Sequence, residues 1–146
     1  MAELDAEIEC RFQTHPQAAV LLSLPGMGPV LAAQFLAATA GDVRVFQTAD
    51  RFAAVSGLAP APRDSGRVTG NLRRPQRYSR HLLRVAYLSA QVSMRYCPES
   101  RAYYDRKRAE GKRHTQAVLA LARRRSNVLW AMLRDNRCFM PATTAA

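Results

Sequence analysis

A run of 26 residues, positions 16–41, carries no charged side chain. A stretch this apolar belongs either in a membrane or in a protein core. Pro25-Gly26-Met27-Gly28-Pro29 decides between the two, because it cuts the run into pieces far short of the roughly 20 residues a membrane span needs. No charged segment precedes a cleavable apolar one, so the run is not a secretory leader either. It reads as a soluble core made of two short helices, about 17–23 and 29–40, joined by a tight hairpin. Pro29 suits a first helical position and Gly41 a stop.

Pro and Gly punctuate the rest of the chain in the same way. Leu4, Ile8 and Phe12 recur every four residues among Glu3, Asp5, Glu7, Glu9 and Arg11, which predicts an amphipathic helix with its acids where the helix dipole favours them. Three turns are marginal alone, so this helix must dock on the body or on another helix. Thr48 reads as the N-cap of a helix to about Val55, ended by Ser56-Gly57. Helix resumes near Ser79, with Leu82, Leu83, Val85, Ala86, Leu88, Ser89 and Val92 on one face, until Pro98 stops it. Two more helices follow, about 99–109 and 115–135. The last points Val118, Leu119, Ala122, Val128, Leu129 and Met132 inward and residues 123–125 partly outward. Residues 43–46 are the one candidate strand. The expected class is all-α: a small multi-helix domain with a helix-hairpin-helix unit and a long Pro/Gly/Arg-rich loop at 57–78.

Charge supplies the first functional clue. The chain has 22 Lys and Arg against 11 Asp and Glu, for a net charge of +11. Nearly all the basic residues are Arg, whose planar fork grips phosphate in pairs of hydrogen bonds. Residues 1–62 hold three Arg and six acids, residues 63–84 seven Arg and one Asp, and residues 101–125 nine basic residues and two acids. The basic surface therefore comes from the second half, and its chemistry fits nucleic acid. Cys10, Cys97 and Cys138 are widely spaced, with no metal-binding pattern, which fits a reduced cytoplasmic setting and predicts no metal site.

Three features carry chemistry. In Leu22-Ser23-Leu24-Pro25-Gly26-Met27-Gly28-Pro29, the glycines Gly26 and Gly28 can let backbone amides approach a phosphate, although such a turn also serves as a plain connection. In the loop Gly57-Leu58-Ala59-Pro60-Ala61-Pro62-Arg63-Asp64-Ser65-Gly66-Arg67-Val68-Thr69-Gly70, Ser65 lies between Arg63 and Arg67. There it can offer a hydroxyl to a phosphodiester with guanidinium charge around it, or simply form a phosphate-binding turn. No base is evident nearby: His81 is 16 residues away, and His15 and His114 read as surface residues. Arg73, Arg74, Arg77, Arg80 and Arg84 partly share a helical face and read as contacts to a nucleic-acid backbone. Tyr103, Tyr104 and Trp130 read as packing residues.

Taken in order, LLSLPGMGP, Phe46, RFAAVSGLAP, RDSG, Gly70, the Tyr78 to Leu83 segment and SRAYYDRKRAEGKRHTQAVLALARRR resemble the C-terminal domain of insertion-sequence one-ten transposases over residues 3–137. The resemblance implies an RNA-guided serine transposase in which a RuvC-like first domain supplies four acidic metal ligands for Mg²⁺ and the C-terminal domain supplies the serine, here Ser65. It implies a division into a linker helix at 1–15 that ends a coiled coil, a DNA-binding and serine-bearing body at 16–137 and a loose tail at 138–146. No cofactor is expected in this chain itself, because the RuvC-like domain is missing and the few acids present form no plausible metal cluster. The expected product is a partial or truncated transposase, associated with the nucleoid, with DNA as partner. Guide RNA, a second copy or a full-length transposase engaged through the first helix are further partners. The alternative from another class is a non-catalytic nucleic-acid-binding module or regulator.

Overall fold

The computed structural model describes residues 1–62, 64–70 and 72–142. Its elements in order are α1 (Ala2–Gln13), α2 (Ala18–Ser23), α3 (Pro29–Ala38), a 3-10 turn (Val43–Phe46), α4 (Ala49–Val55), β1 (Ala61–Pro62), β2 (Leu72–Arg73), α5 (Arg80–Tyr96), α6 (Pro98–Ala109) and α7 (His114–Asp135). The all-α expectation holds, since the only sheet among the described residues is the two-stranded ladder of β1 and β2. None of their helices is long and apolar enough to cross a membrane.

Local chemistry accounts for the boundaries. Thr48 caps α4 through Arg51 N–H at 3.2 Å, and Ser79 caps α5 through Leu82 N–H at 3.3 Å. At the end of α3, Ala40 and Gly41 both take left-handed backbone angles, and Gly41 N–H reaches back to the Leu36 carbonyl at 2.9 Å. The helix therefore ends at Ala38, two residues before the expected stop. Residues 43–46 are a helical turn rather than a strand, because the Asp42 carboxylate accepts Arg44 N–H at 2.9 Å and starts the turn. Cys97 ends α5, and Pro98 opens α6 at a position that needs no N–H.

The longest helix, α7, with 22 residues, is the hub on which α2, α4, α5 and α6 pack. One cluster gathers Leu21, Met27, Phe35, Phe52, Leu82, Val85, Trp130 and Leu133, and a second gathers Ala53, Leu58, Ala90, Val118, Leu121 and Ala122. Each large apolar side chain buried this way contributes about 1.5–3 kcal/mol. Phe52 stacks on Trp130 at 6.2 Å and meets Phe35 edge-on at 5.9 Å. On α1 only Phe12 is buried, Ile8 is half-buried and Leu4 is exposed. In the described part of the tail, residues 138–142, Phe139 packs on the core, its N–H donates to Ser23 Oγ at 2.8 Å, and Ala142 N–H donates to Glu99 at 2.8 Å; the rest of the tail read from the sequence lies outside the described residues. The accessible area of 9636 Å² exceeds the roughly 7,500 Å² expected for a rounded chain of this size; α1 and the 57–78 loop supply exposed surface.

The placement of Arg125 corrects the outward reading of residues 123–125. Arg124 is exposed and Arg123 half-buried, whereas Arg125 is only 8% exposed. Its Nη2 donates to the Pro25 carbonyl and, at 2.9 Å, to Ser89 Oγ. One guanidinium thus ties α7 to the α2–α3 hairpin and to α5. Burial pushes it down to about 10, a shift that Cys97 partly opposes. Below that pH it is charged both folded and unfolded, so its desolvation cost is constant through the neutral range. The cost is relieved only as pH rises above about 10, where the folded chain releases the proton first.

Gly26 completes this junction. Its φ is +86°, and a Cβ there would stand 2.3 Å from the Ser89 carbonyl oxygen and 2.9 Å from Ser93 N. Glycine at 26 is thus demanded by the close approach of α5, where both serines are small and buried. Gly28 has φ −82° and no atom within 4 Å of a Cβ position. We expect Gly26→Ala to cost about 3 kcal/mol or more, combining left-handed strain with a backbone collision, and Gly28→Ala to cost less than about 1 kcal/mol. Urea unfolding of the two variants checks this. Equal losses would show that α5 does not hold the hairpin.

Candidate nucleic-acid interface

The 57–78 loop is an arm with a clamped neck. Gly57 has φ +71° and lies so close to Tyr78 that a Cβ would sit 2.7 Å from the ring. Across the neck Ser79 N–H donates to the Val55 carbonyl at 2.7 Å, and on the α4 side Leu58 N–H donates to the Ala53 carbonyl at 2.9 Å. Beyond the neck, Ala61 pairs with Arg73 and Pro62 with Leu72, antiparallel. At the tip Ser65 N–H donates to the Val68 carbonyl at 3.1 Å and Val68 N–H returns the bond at 2.9 Å. This ladder was not read from the sequence. Pro62 is compatible with it because a two-stranded ribbon has only edges.

Ser65 is exposed at this tip, and among the described residues no hydrogen bond engages its Oγ. Arg67 is exposed beside it. Arg63 lies outside the described residues. Arg73 and Arg74 follow on the returning strand, Arg77 at the neck, and Arg80 and Arg84 one turn apart on α5; all five are exposed. Arg74 stands 5.8 Å from the centre of the Tyr78 ring. None of these six arginines forms an ion pair among the described residues, so their charge is available to a partner. The structure thus brings Ser65, Arg67, Arg73, Arg74, Arg77, Arg80 and Arg84 into one run from the arm's tip to the first turns of α5.

The glycine hairpin lies elsewhere. Gly26 faces Ser89 and Ser93, about 14 Å along α5 from Arg80 and Arg84 at 1.5 Å per residue. Gly28, exposed at the start of α3, is the glycine of the pair with open space around it. The second basic stretch differs from the first in that some of its cations are paired with carboxylates. Arg101 pairs with Asp105 at 3.0 Å and Lys107 with Glu110 at 2.9 Å. Arg106, Lys107 and Arg124 gather over the Tyr103 ring at 4.9, 5.5 and 5.0 Å. That cluster was missed because a tyrosine among helical charges looks like an ordinary packing residue.

Two histidines are occupied: His114 Nδ1 shares a hydrogen bond with Tyr104 Oη at 2.8 Å, and His15 Nδ1 accepts Gln17 N–H at 3.1 Å. No group of three or more His, Cys, Asp or Glu among the described residues can hold a metal ion. The residues present therefore do not fit a Mg²⁺ site. The surface is positively charged and carries the exposed hydroxyl of Ser65.

Comparison with known proteins gives the arrangement a context. Residues 18–105 match the family described as "Transposase IS116/IS110/IS902 family". The chain is 65% identical over its full length to the insertion element IS900 uncharacterized 42 kDa protein of Mycobacterium paratuberculosis, covering 37% of that protein. It is 56% identical over 94% of its length to the IS116 uncharacterized 44.8 kDa protein of Streptomyces clavuligerus, covering 34% of it. It is 28% identical over 90% of its length to the pilin gene-inverting protein of Moraxella bovis, covering 41% of it. The chain thus spans about a third of the length of the first two.

The unpaired arginines generate a specific expectation. Replacing Arg73, Arg74, Arg77, Arg80 and Arg84 together by Gln should flatten the dependence of duplex-DNA affinity on salt by several logarithmic units per decade, about 0.9 for each phosphate that is no longer neutralised. Neutralising Arg101, Arg106 and Lys107 should change it far less. Fluorescence anisotropy from low to high salt measures both. A larger effect from the second set would place the phosphate contacts on α6.

Proposed function

This chain belongs to the IS116/IS110/IS902 transposase family, and from that premise we propose that it acts in DNA transposition as a DNA-binding, serine-bearing module with Ser65 as the nucleophile. The observation that carries the reading is the position of Ser65: exposed at the tip of a clamped arm, its backbone fixed to Val68, its hydroxyl unengaged among the described residues and Arg67 beside it. The Moraxella bovis relative, a pilin gene-inverting protein, adds that a similar module occurs in a protein that inverts a gene, which favours recombination over a role in binding alone.

In the proposed step the Ser65 oxygen attacks a DNA phosphorus. An Oγ–P bond forms, the bond from phosphorus to one deoxyribose oxygen breaks, and that oxygen leaves as a hydroxyl. One phosphodiester replaces another, so bond energy is retained in the protein–DNA link and the reverse step can rejoin a new strand. Arg67 and the arginines of the arm offset the charge that builds on the non-bridging oxygens. The serine must also lose its proton, and a hydroxyl is a weak nucleophile until it does. No carboxylate or imidazole among the described residues is hydrogen-bonded to Ser65 Oγ. In this reading the acidic domain implied by the family resemblance, together with the element's RNA, completes the reaction. The arginine run and Gly28 hold the DNA.

We expect the chain alone to bind DNA without cleaving it. Supplied with the remaining portion of a full-length relative, Mg²⁺ and the element's RNA, it should yield a covalent protein–DNA adduct on a denaturing gel. Ser65→Ala should abolish the adduct and change DNA affinity less than about twofold. An adduct that persists in this variant would move the nucleophile to Ser79 or Tyr78, although Ser79 Oγ already caps α5 and Tyr78 is packed on Gly57. No adduct in the parent protein, with DNA binding intact, would favour the non-catalytic module.

A further inference from the structure

An open groove of about 250 Å³ lies where the neck of the arm meets α5 and the start of α7. It is lined by Arg74, Arg80, Leu83, Arg84, Tyr87, Leu88, Thr115 and Leu119. Its chemistry is divided. Leu83 and Tyr87, four residues apart on α5, form an apolar floor with Leu88 and with Leu119 of α7, and all four are half-buried. Arg80 and Arg84, also four residues apart, stand exposed on the rim with Arg74. Among the described residues no acidic one lines the groove. None of the three arginines has an ion-pair partner among the described residues.

A smooth duplex backbone would use the rim and leave the floor empty. An apolar floor with one aromatic ring, under three unpaired guanidiniums, matches a group with one flat apolar face and one anionic end. An unstacked nucleotide has that form: its base can lie against Tyr87 and the leucines while its phosphate meets the arginines. We infer that this groove holds a nucleotide lifted out of the duplex, adjacent to the strand that Ser65 faces. The inference rests on the proposed DNA-binding function. It names DNA as the source because Arg74 directly follows β2 of the arm that carries Ser65, so the groove and the serine meet one substrate. Holding a nucleotide out of the stack distorts the neighbouring backbone and exposes the phosphorus to attack. Tyr87 and Thr115 are thereby positioning residues.

The test uses the full chain and two duplexes of one sequence, one fully paired and one with a single unpaired 2-aminopurine. The unpaired duplex should bind at least about fivefold more tightly, and its fluorescence should be quenched as the base stacks. Tyr87→Leu keeps the apolar volume and should remove the quenching. Thr115→Glu puts a carboxylate into the groove at the first turn of α7, where a helix tolerates it, and should remove the preference for the unpaired duplex. Equal affinity for both duplexes, or a preference and quenching that survive both substitutions, overturns the inference and leaves the DNA-binding reading standing. Single-stranded RNA of the same sequence, bound more tightly than the unpaired duplex and sensitive to both substitutions, overturns DNA as the source. Failure to bind either duplex overturns the inference and the DNA-binding reading together.

Discussion

One buried guanidinium sets the geometry of this domain. Arg125 brings a positive charge into the junction of α7, α5 and the α2–α3 hairpin, where the Pro25 carbonyl and Ser89 Oγ receive it. A buried charge without these acceptors would be costly. With them the desolvation penalty remains, visible in the lowered affinity for its proton. The return is specificity: one side chain satisfies acceptors on two elements, so the hairpin has one position along α5. Gly26 enforces the same register by steric means, since α5 leaves no room for a Cβ. With α5 fixed at its serine-rich middle, its first turns project Arg80 and Arg84 and anchor the neck of the arm through Ser79.

The two basic stretches look alike as net charge and differ as surfaces. On α6, carboxylates at helical spacing answer Arg101 and Lys107. Exposed pairs of this kind contribute about 0–1 kcal/mol to stability, and they lower the positive field offered to a partner. Along the arm and the start of α5, the one nearby acid is Asp64. Among the described residues Arg67, Arg73, Arg74, Arg77, Arg80 and Arg84 form no ion pair and are exposed to solvent, which is the condition under which counterion release favours polyanion binding. The difference in pairing lies in where the acids fall, and the folded chain shows which basic residues they answer.

The helices were legible because Pro, Gly and capping residues fall at their ends and apolar residues recur at helical spacing between them. Where the reading failed, a single side chain overrode the local pattern. Val43-Arg44-Val45-Phe46 alternates like a strand, but Asp42 captures Arg44 N–H and turns it into a helical turn. Arg125 continues a run of three arginines, and nothing in that run says which one points inward. Gly26 invites a phosphate-binding explanation in the sequence, and the fold adds a packing demand at the same residue, because α5 leaves no room for a Cβ. The short ladder of the arm was hidden by Pro and Gly, which usually argue against strands. Phe139 looked like part of a loose end because its partner, Ser23, lies 116 residues away. Ser65 was legible as a candidate because serine, glycine and arginine lie together in sequence. The groove was not legible, because Leu83, Tyr87 and Leu119 are half-buried and their spacing reads as core.

A ladder of two residue pairs contributes little stability of its own. Along it Arg67, Arg73 and Arg74 repel one another, so the arm's internal energetics do not explain its shape. The neck does part of that work: Tyr78 over Gly57 and the Ser79–Val55 bond fix where the two strands leave the body. In the proposed reading a phosphate backbone supplies counter-charge to these arginines. Binding would then replace repulsion with attraction at the same residues that hold Ser65, coupling the position of the hydroxyl to the presence of polyanion. A nucleophile carried on a neutral, self-sufficient hairpin would be equally ordered with and without substrate. One carried on an arginine-lined ribbon gains order when the phosphate it faces is in place.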